Sequence, residues 1–239
     1  MIKVIPALDW EDAKKKSHGY QSRDILDHDL RAALNLLNSP IDVFIPPLTQ
    51  YFITILSKII HSRPEFFKAP VLRVIDFGGS WGANFKLATN FFPNVHFDWT
   101  IVEQEYNFKI LNSFSKLNLR WTNKIDFGTH YDVGLFSASL QYLEQPYEVL
   151  SQVLNVSNHL ILGRMPVYEV PEDLYFSQTV PKEIYEGSYP IRVFSWEKLK
   201  SHLTHDCKIV HYWTDNFDQM TLNGGILNFS GFYVVKNCI

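Results

Sequence analysis

Val71-Leu-Arg-Val-Ile-Asp-Phe-Gly-Gly-Ser-Trp-Gly82 is the stretch that decides the fold. An apolar run, Val71 to Ile75, ends in a carboxylate, Asp76, and a glycine-rich turn follows at Gly78, Gly79 and Gly82. Ala83 to Phe92 then has helical character. Strand, tight glycine turn and helix is how an α/β sheet builds a ligand site at the carboxyl end of its opening strand. Glycine is expected there because a Cβ would hold a ligand off the backbone. The plainer alternative is a turn that only packs a helix on a strand.

The order of the glycines and the acid before them bear on the ligand. A dinucleotide fingerprint reads Gly-x-Gly-x-x-Gly, and its helix N-terminus attracts a pyrophosphate. Here Gly78 and Gly79 are adjacent. A carboxylate at Asp76 repels a pyrophosphate and attracts the ammonium of a methionine moiety. The residues therefore favour S-adenosylmethionine over NAD. The pattern resembles the Asp/Glu-x-Gly-x-Gly-x-Gly motif of class I methyltransferases: Asp76, Gly78 and Gly82 match, and Ser80 stands where the middle glycine is usual. Ser80 is expected to cap the following helix by accepting a backbone N–H.

The 239 residues allow one sizeable α/β domain with an appended element. With 46% hydrophobic and 20% charged residues the chain is globular and not disordered. Its net charge of −3 argues against a nucleic-acid surface, which needs a basic footprint. Cys207 and Cys238 form no metal or disulfide pattern, so a reducing, cytoplasmic setting is expected. Met1 to Trp10 is too short in apolar character for a secretory signal, and no apolar run is long enough to span a bilayer. The oligomeric state cannot be read from composition.

Residues 1–23 read as a loosely structured polar lead, with Lys14 to Lys16 as solvated surface. Asp24–Leu37 and Leu48–Ile60 place apolar residues on one helical face each. Such a preface, residues 1–66, either covers the cofactor or only packs on the sheet. From 67 to 239 the reading is a Rossmann-like domain. Phe97–Val102 is its second strand and Glu103 stands at the tip, where a carboxylate can accept both hydroxyls of a ribose. Glu105–Leu117 reads as a helix and Leu119–Trp121 as a short third strand. In the next loop Asp126 and Phe127 are candidates to bond and cover an adenine ring, with Asn123 and Lys124 competing. Tyr131–Ser137 is a nearly continuous apolar fourth strand ending in Ser137, a further cofactor-side candidate. His159–Gly163 is the fifth strand. Residues 167–194, rich in proline and aromatics, read as a long insertion: an acceptor-side lid or a surface excursion. After a helix capped by Ser195, Lys208–Thr214 and Ile226–Val235 are joined without a helix, so they must pair antiparallel. The fold class is thus α/β: a seven-stranded, mostly parallel sheet with an antiparallel terminal hairpin and a helical preface.

Four separated stretches, Asp76–Gly82, Ser137–Pro146, Arg164–Pro166 and Tyr189–Ser195, resemble a bacterial methyltransferase family whose members are often associated with surface-polysaccharide loci. The resemblance covers roughly 20–236 and implies a reaction, methyl transfer to a small molecule or glycan precursor, without naming the acceptor. Many small-molecule methyltransferases carry Leu-Glu-His after the fourth strand; this chain has Leu140-Gln141-Tyr142. A phenol with a pKa of about 10 is a poor base, although it can orient a substrate. The catalytic group is therefore open among Tyr142, Gln141, Arg164 and His130, with Glu144 and His159 as further bases. Arg164 either clamps an anionic acceptor or makes a strand-end salt bridge. His202 and His205 lack a third ligand, so no metal is expected. Two other functions stay open: a catalytically silent ligand-binding or assembly protein, and an NAD-dependent sugar-modifying enzyme.

Overall fold

The computed structural model describes residues 2–18, 27, 28, 30, 31, 47–63, 71–180, 187–222 and 224–237. Its elements in chain order are β1 (Lys3–Ala7), α1 (Trp10–Lys15), α2 (Pro47–Ser62), β2 (Val71–Phe77), α3 (Ala83–Phe91), β3 (His96–Val102) and α4 (Glu105–Leu111). They continue with β4 (Leu119–Thr122), β5 (Tyr131–Ser137), α5 (Pro146–Val156), β6 (Ser157–Met165), β7 (Val167–Tyr168), β8 (Leu174–Thr179) and β9 (Ser188–Ser195). The chain closes with α6 (Trp196–Thr204), β10 (Cys207–Leu222) and β11 (Gly225–Lys236).

Seven strands form the main sheet in the order β10-β11-β6-β5-β2-β3-β4. Neighbours from β6 to β4 run parallel, and β11 is antiparallel to both β6 and β10. The terminal hairpin therefore closes the sheet as its helix-free connection requires. β2 is buried on both faces over Val74–Asp76, while Val71 and Arg73 at its start are exposed. From β2 the chain builds outward through β3 and β4 on one side and through β5 and β6 on the other. The carboxyl ends of β2 and β5 thus flank the switch point, where α/β sheets hold their ligands.

Helices cover both faces. On one, Leu56 and Ile59 of α2 and Leu87 of α3 pack with Leu72, Trp99 and Ile101 of the sheet. On the other, Leu150 and Val153 of α5 and Leu199 and Leu203 of α6 pack with Phe136, Leu160 and Phe232. Pro146 begins α5, where its missing N–H costs nothing. The Ser195 hydroxyl accepts the Lys198 N–H and caps α6 as expected. Of the helix expected over Asp24–Leu37, residues 27, 28, 30 and 31 are helical and the rest lies outside the described residues.

Three expectations are corrected. Residues 2–18 of the lead are ordered: Asp9 caps α1, accepting the Asp12 N–H at 2.8 Å, and β1 pairs with β8. The described part of the 167–194 insertion forms strands β7, β8 and β9, which join β1 of the lead in a second sheet ordered β1-β8-β9-β7. Of the insertion's prolines, Pro190 lies within β9 at a position bordered by β8 alone. Phe176, Ile191 and Val193 bury the second sheet against Met220, Leu222 and Phe229, where the terminal hairpin outruns the main sheet. The helix expected to reach Leu117 stops at Leu111 and tightens into a 3-10 turn at Asn112–Phe114.

One buried ion pair ties these parts together. Arg192 of β9 meets Asp173 at 3.2 Å, with side chains 7% and 4% exposed. Rings of Trp10 and Tyr175 lie 5.6 and 5.1 Å from the guanidinium carbon. Asp173 also accepts the Tyr147 hydroxyl at 3.0 Å and the Ser195 N–H at 2.9 Å.

Candidate functional site

Asp76 ends β2 and is fully buried. Its Oδ2 accepts the Asn84 amide and the Trp99 indole N–H, each at 3.3 Å, while Oδ1 has no partner among the described residues. Burial pushes its pKa up to about 7; the two hydrogen bonds oppose this and the nearby Glu103 charge adds to it. A half-satisfied buried carboxylate is costly, and it is a ready partner for a cation or a donor.

The glycine turn closes over it. The Gly78 N–H goes to the Val102 carbonyl at 2.9 Å, the Ser80 N–H to Glu103 Oε1 at 2.8 Å and the Gly82 N–H to the Gly79 carbonyl at 3.0 Å. Three amides that a pyrophosphate would need are therefore spent inside the protein. Glu103, buried at the tip of β3, also accepts the Asn107 amide at 2.9 Å through Oε2. As a carboxylate it only accepts hydrogen bonds, the chemistry a hydroxyl pair requires. This donor set fits a cationic nucleoside ligand: an orphaned carboxylate oxygen at one strand tip and an accepting carboxylate at the next.

The glycines are required mainly by the protein itself. A Cβ on Gly79 would lie 2.5 Å from Asp76 Oδ2, and one on Gly78 would lie 2.6 Å from the Ser139 Cβ. Ser80 does not cap α3; Gly82 is the cap residue, at φ 80°. Ser80 itself is left-handed at φ 48°, and its carbonyl accepts the Trp121 indole N–H at 2.7 Å. Gly79→Ala is expected to lower the thermal midpoint by ~5–10 °C, from overpacking worth about 2–3 kcal/mol. A Cβ on Gly163 would meet its nearest atom at 3.8 Å, so in differential scanning fluorimetry Gly163→Ala should change little.

The remaining non-glycine residues at positive φ follow β5 and lie near the end of β6: Ala138 at 55° and Arg164 at 60°. Strain of this kind concentrates at functional rims. Arg164 makes the strand-end salt bridge and not an open clamp, because Asp218 holds its Nε and, at 3.4 Å, its Nη2. Gln141, fully buried, donates its amide to the Arg164 carbonyl at 3.2 Å. Tyr142 donates to Gln178 at 3.2 Å, and Gln178 donates to the Tyr189 hydroxyl at 3.2 Å. Burial pushes the Tyr142 phenol above its ordinary range, which further disqualifies it as a base. A cavity of about 20 Å³ opens beside Arg164, with Ser137, Asn84 and Asp215 on its wall.

Other candidates fall away from this rim. His130 is exposed at the amino end of β5, the opposite edge of the sheet. His159, near the amino end of β6, bonds the Tyr233 hydroxyl at 3.0 Å, and burial depresses its pKa to about 4. Glu144 pairs with Lys14 at 3.5 Å. Asp126 spends its carboxylate on its own turn, accepting the Gly128 N–H at 2.9 Å and the Thr129 hydroxyl at 2.7 Å, and Phe127 is exposed. Asn123 is bonded to Glu105. His202 bonds Ser151 at 2.9 Å and His205 pairs with Asp206 at 2.9 Å. No cluster of His, Cys, Asp and Glu able to hold a metal occurs among the described residues. Sequence reading missed Asn84, Trp99, Asp215 and Asp218. Asn84 alone carried a signal, as a polar side chain in the first turn after the glycines.

No protein-family model and no curated protein matches the sequence. Solved structures do match. CalS10 from Micromonospora echinaspora, an amino pentose methyltransferase involved in calicheamicin biosynthesis, is 11% identical with a TM-score of 0.52, over 87% of this chain and 97% of that one. Magnesium protoporphyrin IX methyltransferase from Synechocystis PCC 6803 is 12% identical with a TM-score of 0.52, over 91% and 97%. The 1,6-didemethyltoxoflavin-N1-methyltransferase of Burkholderia thailandensis is 11% identical with a TM-score of 0.50, over 98% and 95%. The chain has the Rossmann-like α/β fold of class I methyltransferases.

Proposed function

We propose that this protein is an S-adenosylmethionine-dependent methyltransferase acting on a small molecule or glycan precursor in the cytoplasm, within surface-polysaccharide synthesis. The observation that carries the reading is the buried Asp76 with one unpartnered oxygen beneath the glycine turn, beside Glu103 at the next strand tip. Structures of the same fold with bound cofactor or its product support it: CalS10 with S-adenosylmethionine, and the other two enzymes with S-adenosylhomocysteine. A carboxylate at Asp76, with Glu103 at the next strand tip, attracts a cation and repels a dinucleotide pyrophosphate.

When bound, the cofactor supplies a sulfonium methyl that is already electrophilic. The protein's residues then have to hold the acceptor in line with that methyl, within about 3–3.5 Å. Ser137, Gly163 and Arg164 form the rim at the ends of β5 and β6 that performs this alignment. Calorimetric titration with S-adenosylhomocysteine tests the reading, and absence of binding at millimolar ligand sinks it. Glu103→Ala is expected to weaken that binding about 10- to 100-fold, the worth of hydrogen bonds to a charged acceptor. A loss under twofold would remove Glu103 from the ribose role.

A second reading is favoured by one observation: at the position of the usual histidine stands Tyr142, bonded into Gln178 and Tyr189. On that reading the fold binds the cofactor without transferring its methyl. Radiolabelled methyl entering sugar-nucleotide or lipid-linked pools decides against it, and cofactor binding with no transfer to any fraction decides for it.

A further inference from the structure

α4 is apolar on its outer side, where a surface helix is ordinarily polar. Phe108 and Leu111 turn inward and pack with the core that holds Trp99 and Ile101. Tyr106 and Ile110, four residues apart and so neighbours on the helix, are exposed. Phe114 follows in the 3-10 turn, 52% exposed, and Leu117 is 99% exposed in the link to β4. Phe127, also exposed, lies in the loop that leaves β4. Asn123 of that loop bonds Glu105 at the start of α4, which holds the two stretches side by side. β4 is the last strand of the main sheet, so these side chains fringe one edge of it. Single apolar side chains on a surface are ordinary; several along one edge mark an interaction site.

Cations are interleaved with this fringe. Lys109 is matched by Glu105 at 3.2 Å and Arg120 by Asp98 at 2.6 Å. Lys116 and Lys124 are exposed and make no ion pair among the described residues. Asp126, close enough to feel the Lys124 charge, already accepts from its own turn. Lys116 adjoins Leu117, and Lys124 lies three residues before Phe127. Each apolar tip thus has an uncommitted ammonium beside it, although the whole chain carries −3. Tips on a turn and a loop beside an apolar helix side suit a soft layer, apolar beneath an anionic surface.

We propose that this edge seats the protein on a membrane surface containing anionic lipids. Phe114, Leu117 and Phe127 enter the boundary between head groups and acyl chains, and Lys116 and Lys124 meet the lipid phosphates. The docking edge adjoins the candidate site: Phe114 packs against Trp81 of the glycine turn at 5.3 Å and 67°, and Asn107 of α4 donates to Glu103. A seated protein therefore carries these two strand tips close to the bilayer. The docking does not depend on the methyltransferase reading.

The test sediments the full chain with vesicles of phosphatidylcholine alone and of phosphatidylcholine with about one third phosphatidylglycerol. The mixed vesicles should bind at least about tenfold tighter than the neutral ones, and added salt should shrink the difference. Lys116→Gln with Lys124→Gln should remove most of that difference. Leu117→Ser with Phe127→Ser should weaken binding to the mixed vesicles by about tenfold or more, from lost apolar contact. All four side chains are exposed, and thermal unfolding verifies that both double variants are folded. No binding to the mixed vesicles, equal binding to the neutral ones, or binding unmoved by either double variant overturns the proposal. So does a second copy of the chain on this edge, seen by light scattering as a wild-type dimer that Leu117→Ser dissociates. Calorimetry with S-adenosylhomocysteine on the same samples reports separately on the methyltransferase reading.

Discussion

Asp76→Asn is expected to make the protein more stable than wild type at pH 8 while weakening its hold on S-adenosylhomocysteine. Burial raises the folded-state pKa of Asp76 from 3.8 to about 7. Between those values the unfolded chain gives up a proton that the folded chain keeps. Stability from this group is therefore fully present below about pH 4, falls as pH rises, and is lost above about 7. The interval of about three units corresponds to a total of ~4 kcal/mol. The Asn variant has no such proton. In urea titrations its advantage over wild type should grow from about pH 4 to 7 and level off above. Parallel curves for the two proteins would show that Asp76 ionises freely. Ligand binding runs the other way: a cation beside Asp76 favours the ionised carboxylate, so wild-type affinity should climb with pH up to about 7 and the variant's should not. A stability cost concentrated at one ligand-facing carboxylate is the ordinary trade between fold and function.

How much of this was legible depended on whether the signal was local. The strand, turn and helix around Asp76, the acid at Glu103 and the helix-free terminal pair each lie within a short window, and the structure has all three. What failed was non-local. β1 is a strand because β8 offers it an edge 176 residues away at the pairing Lys3↔Thr179, and no periodicity in Lys3–Ala7 announces that. Pro190, one of the prolines that made 167–194 read as an insertion, is tolerated in β9 because only β8 borders it there. The rim proposed for the acceptor was half visible. Arg164 was found, but its partner Asp218 sits in a bulge, and a bulge shifts which side chains face the rim without changing composition. Glycine was expected for the ligand's sake and is needed for the carboxylate beneath it, a contact only the folded turn creates.

The largest loss of stability is expected from Asp173→Ala, far from the proposed chemistry. Removing this carboxylate leaves the Arg192 guanidinium buried without its ion partner, between Trp10 and Tyr175. Breaking a buried pair from one side costs about 3–5 kcal/mol, because the surviving charge can neither pair nor reach water. The Tyr147 hydroxyl and the Ser195 N–H lose their acceptor in the same stroke. For a chain of this size the thermal midpoint should fall by ~10 °C or more. The double variant Asp173→Leu with Arg192→Met removes both charges and should recover a substantial part of the loss. No recovery would mean that the tyrosine and amide bonds, not the ion pair, carry the cost. The effect should also be global, because Asp173 joins α1, the second sheet, α5 and the cap of α6, and these elements share no other buried charge pair among the described residues. Hydrogen exchange in Asp173→Ala should therefore rise in β1, β8 and β9 together, and acceleration confined to one of them would break the claim that this residue couples the lead to the main sheet.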